Sequence, residues 1–283
     1  MVKYSLDSYF LNINKEKGIT SLDVISKLRK ILNIKKIGHA GTLDPLASGV
    51  LPVAVGYATR LIEYLEDDKK YIAKIKFGEN STTYDDEGEK TFVHKPDFKR
   101  SDLENVLPKF IGKIKQKPPI YSAIKIKGKK LYEIARRGES VEIPLRDVEI
   151  YDIKILDFKL PYATLEISCS KGTYIRSLAY DLGEILGCGG YIKELKRTCV
   201  GKFNIENSNK LNENLTPISI EEVLPFEKYY LDDDEYQKIK NGIKIKSKIS
   251  QEDKFLMLIY NKKVVSISKI SDNIIIVEKN LKG

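Results

Sequence analysis

Gly38-His39-Ala40-Gly41-Thr42-Leu43-Asp44-Pro45-Leu46-Ala47-Ser48-Gly49 packs three glycines, a proline, one of two histidines and a single carboxylate into one short stretch of a 283-residue chain. Glycine loses too much conformational freedom in a regular helix or strand and proline lacks the backbone donor, so this composition predicts an irregular loop. Asp44 is its only ionisable group besides His39. Two fates suit a loop aspartate: bonding to nearby backbone amides as a turn residue, or being held out as a reactive carboxylate. The surroundings of the loop bear on the choice.

Upstream, Thr20-Ser21-Leu22-Asp23 caps an expected helix with Leu22, Ile25, Leu28 and Leu32 on one face. Downstream, Tyr71 to Phe77 alternates so that Tyr71, Ala73, Ile75 and Phe77 share one face of a strand, with lysines mostly on the other. Asp85-Asp86-Glu87-Gly88 reads as a turn. Ser101-Asp102-Leu103-Glu104 fits a capping box opening a helix to about Ile111, bent near Pro108. A strand over Ala163 to Cys169 runs into Ser170-Lys171-Gly172-Thr173-Tyr174-Ile175-Arg176. A helix follows with Leu178, Leu182, Ile185 and Leu186 on one face, ended by Gly187, Gly189 and Gly190. Arg176 therefore falls in the first turn of a helix that follows a strand, near a sheet edge.

The length suits one large core with a smaller appendix. Net charge is +9, from 49 basic and 40 acidic residues, which favours a polyanionic partner such as nucleic acid, although a generally lysine-rich proteome gives the same surplus. Three cysteines without C-x-x-C spacing indicate neither a disulfide framework nor a zinc site, and His39 and His94 lack partners at i+3 or i+4. No metal is expected. No run approaches the roughly 20 apolar residues of a membrane helix. The N-terminus lacks the apolar core of a secretory signal, so the expected location is the cytoplasm, away from membranes.

Between Pro118 and Arg146, Lys125, Lys127, Lys129, Lys130, Arg136 and Arg137 are interleaved with Tyr121 and Tyr132. That mixture suits phosphate contacts with stacking on unpaired bases, and it equally suits a solvated charged face. The pattern breaks around Thr216-Pro217 to Leu224-Pro225, as in a linker or interdomain helix. Phe255 to Tyr260, Val264 to Ile270 and Ile274 to Val277 then read as strands joined by hairpin turns, a β domain of about 60 residues.

The loop, extended to Val50-Leu51, resembles the signature of the TruB family of tRNA pseudouridine-55 synthases. Four further segments match in order: Lys17-Gly18-Ile19-Thr20-Ser21, Tyr71, Pro118-Pro119-Ile120-Tyr121-Ser122-Ala123-Ile124-Lys125 and Ser170 to Arg176. One departure is Lys15-Glu16, where the family commonly has Lys-Pro. The resemblance implies an α+β pseudouridine synthase fold with a mixed, largely antiparallel central sheet flanked by helices and loops. It also implies a catalytic domain over residues 1–225, with residues 118–146 as an RNA-binding thumb, and a small β-rich PUA-like domain over 226–283.

By the same resemblance the activity is isomerisation of uridine 55 in the T loop of tRNA, without cofactor, by a monomer needing no protein partner. Asp44 would be the nucleophile, Arg176 its partner, and Tyr71 would stack on the flipped base. Leu195 would wall the pocket and His39 would fill space vacated by flipped nucleotides. Lys17, Arg60, Tyr121, Lys125 and Tyr174 would complete the contacts to the T arm. Two other classes remain in view: a guide-dependent enzyme of ribosomal RNA, and an RNA-binding protein without chemistry. The joint presence of Asp44, Tyr71 and Arg176 favours activity, because a pure binder needs none of the three.

Overall fold

The computed structural model describes residues 8–122, 125–126, 129–131, 142–212, 214–249 and 253–281. The first half of the chain runs β1 (Tyr9–Lys15), α1 (Ser21–Leu32), β2 (Ile37–His39), β3 (Ser48–Val55), a 3-10 helix (Gly56–Tyr64), β4 (Lys69–Phe77), β5 (Glu79–Ser81), β6 (Lys90–Phe92), α2 (Arg100–Val106) and β7 (Gly112–Gln116). After it come β8 (Lys125–Ile126), β9 (Lys129–Lys130), β10 (Arg146–Lys159), β11 (Tyr162–Cys169), α3 (Ile175–Ile185), β12 (Gly190–Val200), β13 (Phe203–Asn204) and α4 (Ile220–Val223). The last part is β14 (Glu227–Tyr230), α5 (Asp233–Lys240), β15 (Ile245–Lys246), β16 (Phe255–Tyr260), β17 (Lys263–Ser271) and β18 (Ile274–Asn280).

A nine-stranded sheet in the order β1-β3-β12-β4-β11-β10-β7, with β2 on β3 and β13 on β12, forms the body. Its pairs are antiparallel except β3 with β12, which is parallel, so the sheet is mixed and largely antiparallel as expected. On β4 the alternation holds: Tyr71, Ala73, Ile75 and Phe77 are buried, each contributing to a core shared with Leu165 and Ile167 of β11 and with α1, α2 and α3. Full burial of an aliphatic or aromatic side chain of this kind stabilises by about 1.5–3 kcal/mol.

Two helix faces differ from the expectation. In α1 the inward stripe is Ser21, Val24, Ile25 and Leu28, while Leu22 is 69% exposed. The cause is Ser21, whose hydroxyl accepts from Leu43 N at 2.9 Å and donates to Leu43 O at 3.2 Å, rotating Leu22 outward. Thr20 caps the helix as expected, accepting from Asp23 N at 3.0 Å. In α3, Leu178 and Leu182 are buried but Ile185, in the last turn, is exposed. The cap of α2 is Lys99 rather than Ser101: Asp102 accepts from Lys99 N at 2.7 Å, starting the helix two residues earlier. A 3-10 turn over Leu107–Phe110, containing Pro108, ends this helix.

The glycine stretch is not irregular throughout. Gly38 and His39 close β2, and Ser48 and Gly49 open β3, leaving the irregular part to Ala40–Ala47. Gly49 lies at φ +104°, and a Cβ there would collide with the carbonyl of Arg197, so the parallel join of β3 to β12 requires glycine.

The C-terminal strands form a second sheet in the order β14-β16-β17-β18-β15. Its two hairpin turns place Asn261-Lys262 and Asp272-Asn273 at left-handed φ values of 47°, 60°, 53° and 59°. The segment expected to be a linker is a packed joint: Ile220, Val223 and Leu224 are buried against Phe10, Val50 and Ala54 of the body and Met257, Ile259 and Ile267 of the second sheet. Cys169 and Cys188 are buried free thiols and Cys199 is a half-buried one. In the thumb segment β8 and β9 pair as a small ribbon, and Lys127, Tyr132, Arg136 and Arg137 lie outside the described residues.

Candidate functional site

Ala40–Ala47 is a loop held from three sides. Ser21 grips Leu43, as above. Lys15, at the end of β1 and with no exposed surface, donates to Ile19 O at 2.7 Å, Glu16 O at 3.0 Å and Pro45 O at 3.4 Å. Burial pushes the Lys15 ammonium down to about 8, opposed by the nearby Asp44 charge. The Glu16 that departs from the family pattern thus takes part through its carbonyl alone. On the third side Arg197 of β12 donates to Val50 O at 2.8 Å, Gly41 O at 3.0 Å and Thr42 O at 3.3 Å.

Held this way, Asp44 presents its carboxylate to Arg176 in the first turn of α3, with Oδ2 and Nε 3.0 Å apart. The Asp44 side chain is 38% exposed and that of Arg176 is 6% exposed, so the carboxylate faces an opening while the guanidinium is enclosed. Arg176 Nη1 also meets Asp85 Oδ2 at 3.2 Å and donates to Thr83 O at 3.2 Å, and Nη2 donates to Tyr121 O at 3.0 Å. Asp85, buried, is fixed in turn by Thr83 Oγ1 and by Glu87 N at 3.1 Å. A guanidinium held by four contacts from all three of its nitrogens is a fixed charge whose direction is set before any ligand arrives.

Withdrawal from water pushes the Asp44 carboxyl above the usual carboxylate range; Arg176 pulls it back down and Asp85 pushes it up. Tyr71, enclosed on β4, is pushed up by burial and stays a neutral phenol at neutral pH, with Arg197 opposing the shift. Burial likewise raises Tyr174, the residue that precedes α3. Its backbone is locked by Gln116, whose amide oxygen accepts from Tyr174 N at 2.8 Å and whose amide nitrogen donates to Tyr174 O at 3.0 Å.

A cleft of about 540 Å³ opens above this arrangement, walled by Asp44, Tyr71, Tyr174, Arg176, Leu195 and Arg197. A half-buried carboxylate, a phenol and an apolar wall around a nucleobase-sized space can stack a base and attack it or its sugar. Lys69, Lys171 and Arg146 at the same cleft supply cations for phosphates. Lys171 is 3.3 Å from Asp67, and Lys69 is pulled down by burial.

Five of the expected site residues therefore meet in one place: Asp44, Tyr71, Tyr174, Arg176 and Leu195. Of the others, His39, Lys17, Arg60 and Tyr121 do not line it. His39 sits one residue before the cleft wall at Ala40, half-buried, with Nδ1 unbonded and its pKa lowered by burial. Lys17 is exposed in the turn after β1. Arg60 lies at a separate groove by the C-terminal sheet and donates to Asn280 O at 2.8 Å. Tyr121 takes part by its carbonyl, and the Lys125 side chain lies outside the described residues. Sequence reading passed over Asp85, Arg197, Lys15 as a clamp, Gln116 and Ser21. Arg197 carried one usable signal: it follows Leu195 at the strand period, an arginine at an inward position of β12.

Residues 29–175 match the family model described as TruB family pseudouridylate synthase (N terminal domain), and residues 176–229 match that of the tRNA pseudouridylate synthase B C-terminal domain. The chain is 46% identical over 272 residues to tRNA pseudouridine synthase B of Fusobacterium nucleatum, covering 92% of this chain and 95% of that protein. It is 42% identical over 275 residues to tRNA pseudouridine synthase B of Clostridium kluyveri, covering 93% and 95%. A solved structure of an H/ACA RNP bound to a substrate RNA containing 2′-deoxyuridine shares the fold, with a TM-score of 0.70 and 24% identity over 97% of this chain and 85% of that one.

Proposed function

Since the chain belongs to the TruB family of pseudouridylate synthases and is an isomerase of that kind, we propose that it converts uridine 55 in the T loop of tRNA to pseudouridine. The C1′–N1 bond breaks, the uracil turns, C1′–C5 forms, the C5 proton leaves and N1 gains one. Every heavy atom is kept, so the reaction requires no co-reactant, and we assign it no cofactor. Asp44 acts as the nucleophile, Arg176 keeps it ionised and aimed, and Tyr71 stacks on the base and moves a proton. Leu195 and Tyr174 close the pocket.

The observation that carries this reading is the 3.0 Å contact of Asp44 with an arginine also held by Asp85, Thr83 and Tyr121. A loop aspartate serving only its own turn has no use for such a partner. The base must leave its stack to reach the cleft, at a cost of a few kcal/mol. Residues 1–225 then carry catalysis, with residues 118–146 closing over the RNA and His39, Lys17, Tyr121 and Lys125 touching the T arm. Residues 226–283, with Arg60 at the joint, extend the contact along the tRNA as a PUA-like domain.

Tritium release from C5-labelled uridine in a T-arm transcript tests it. The wild-type chain releases label only when position 55 is uridine. Asp44→Asn lowers release by at least about 10³-fold, while T-arm affinity stays within about tenfold, or 1.4 kcal/mol. Release at the wild-type rate by the variant removes the nucleophile, and no release by the wild type removes the substrate.

A further inference from the structure

Arg197 has no exposed surface, and among the described residues it forms no ion pair. A buried guanidinium without a carboxylate is costly unless every N–H finds an acceptor. Three of its bonds go to the carbonyls of Gly41, Thr42 and Val50, which stand at the entrance and exit of the Asp44 loop. Its own backbone pairs with Gly49 of β3 on one side and with Tyr71 of β4 on the other. Arg197 and Tyr71 are direct partners in the register of β12 and β4, both side chains are buried, and the guanidinium opposes the upward push of burial on the phenol. Arginine offers donors only, so in any hydrogen bond between the two the phenol oxygen must accept. The phenolic proton is then free for another partner, and both residues line the cleft.

We propose that Arg197 is a positioning residue for the isomerisation: it holds both ends of the Asp44 loop and, by donating to the Tyr71 oxygen, turns the phenolic O–H toward the base in the cleft. The proposal rests on the reading of that cleft as the uridine site. It explains why a fork-shaped side chain stands here, since one ammonium cannot serve three carbonyls and a phenol in a common plane. It also ties two parts of the site, the nucleophile loop and the stacking ring, to one side chain.

A double-mutant cycle with Arg197→Lys and Tyr71→Phe tests the coupling, read as the single-turnover rate at saturating T-arm RNA. Arg197→Lys slows the step by at least about tenfold with T-arm Kd within about threefold, and this loss shrinks at least about threefold when Tyr71 is already Phe. Losses that simply multiply overturn the proposal and leave Arg197 a clamp. Because Arg197→Lys can fail to fold, a second measurement keeps the native arginine: nuclear magnetic resonance of ¹⁵N-arginine protein, wild type against Tyr71→Phe. The Arg197 Nη–H signals move if the phenol accepts from them, and unmoved signals overturn the proposal. That measurement needs no catalysis, so a wild type inactive on T-arm RNA removes the functional reading while the phenol contact is still judged on its own.

Discussion

Asp44 and Asp85 share one guanidinium, and in the proposed reaction they are expected to act with opposite signs. In the proposed reaction the carboxylate form of Asp44 is the working one, so the rate should fall as pH drops through its pKa, which burial holds above the ordinary range. Asp85→Asn deletes a negative neighbour that favours protonation, so the acid limb moves to lower pH. Arg176→Gln deletes the positive charge that favours ionisation, so the limb of the residual activity moves to higher pH. Single-turnover pH profiles of both variants check the pair, and displacement of either limb in the other direction contradicts it. Asp44, Arg176, Tyr71 and Leu195 were legible as site residues because the resemblance attached roles to each of them by position. Asp85 was not: in Asp85-Asp86-Glu87-Gly88 it looks like any turn carboxylate, and only the fold shows Arg176, 91 residues on, closing over it. Lys15 and Ser21 were hidden for the same reason, since their partners are backbone groups of a distant loop.

α3 sets Arg176 in place, and Gly183 sets α3. A Cβ at Gly183 would collide with the backbone of Gly189 and Gly190, where the chain turns from α3 into β12. The helix therefore lies closer to the sheet than any side chain permits. Gly183→Ala should destabilise by about 3 kcal/mol, the upper range for overfilling a packed site, against the slight gain that alanine brings to an unconstrained helix. Urea unfolding measures it, and a neutral or stabilising result refutes the close approach. Strands with a clean alternation, β4 and β11, were readable because one face alone is buried. The helix faces were less so: periodicity admits a one-residue rotation, and in α1 the polar contact of Ser21 to Leu43 chose the rotation that leaves Leu22 outside.

The two sheets meet in one apolar cluster in which Phe10, Val50 and Ala54 touch Met257, Ile259 and Ile267 through the α4 joint. Each sheet has a core of its own, and this third cluster binds the two together, so calorimetry of the intact chain should give a single transition. Ile267→Ala, at a fully buried position, should cost about 2–5 kcal/mol and lower that transition as a whole. Two separate transitions, with only the later part of the chain affected, would show independent units. The strands of the second sheet were legible from local hairpin turns, but its docking was not, because the joint at Ile220 to Leu224 reads as a break when its burial partners are out of sight. The parallel rung between β3 and β12 has a consequence in time. Arg197 reaches Val50 across 147 positions, and contacts so distant in sequence form late. A chain emerging from the ribosome delivers Asp44, and the Lys15 and Ser21 that hold its loop, long before Arg197 supplies the third hold. Synthesis must pass residue 197 before all three holds on the Asp44 loop can be in place.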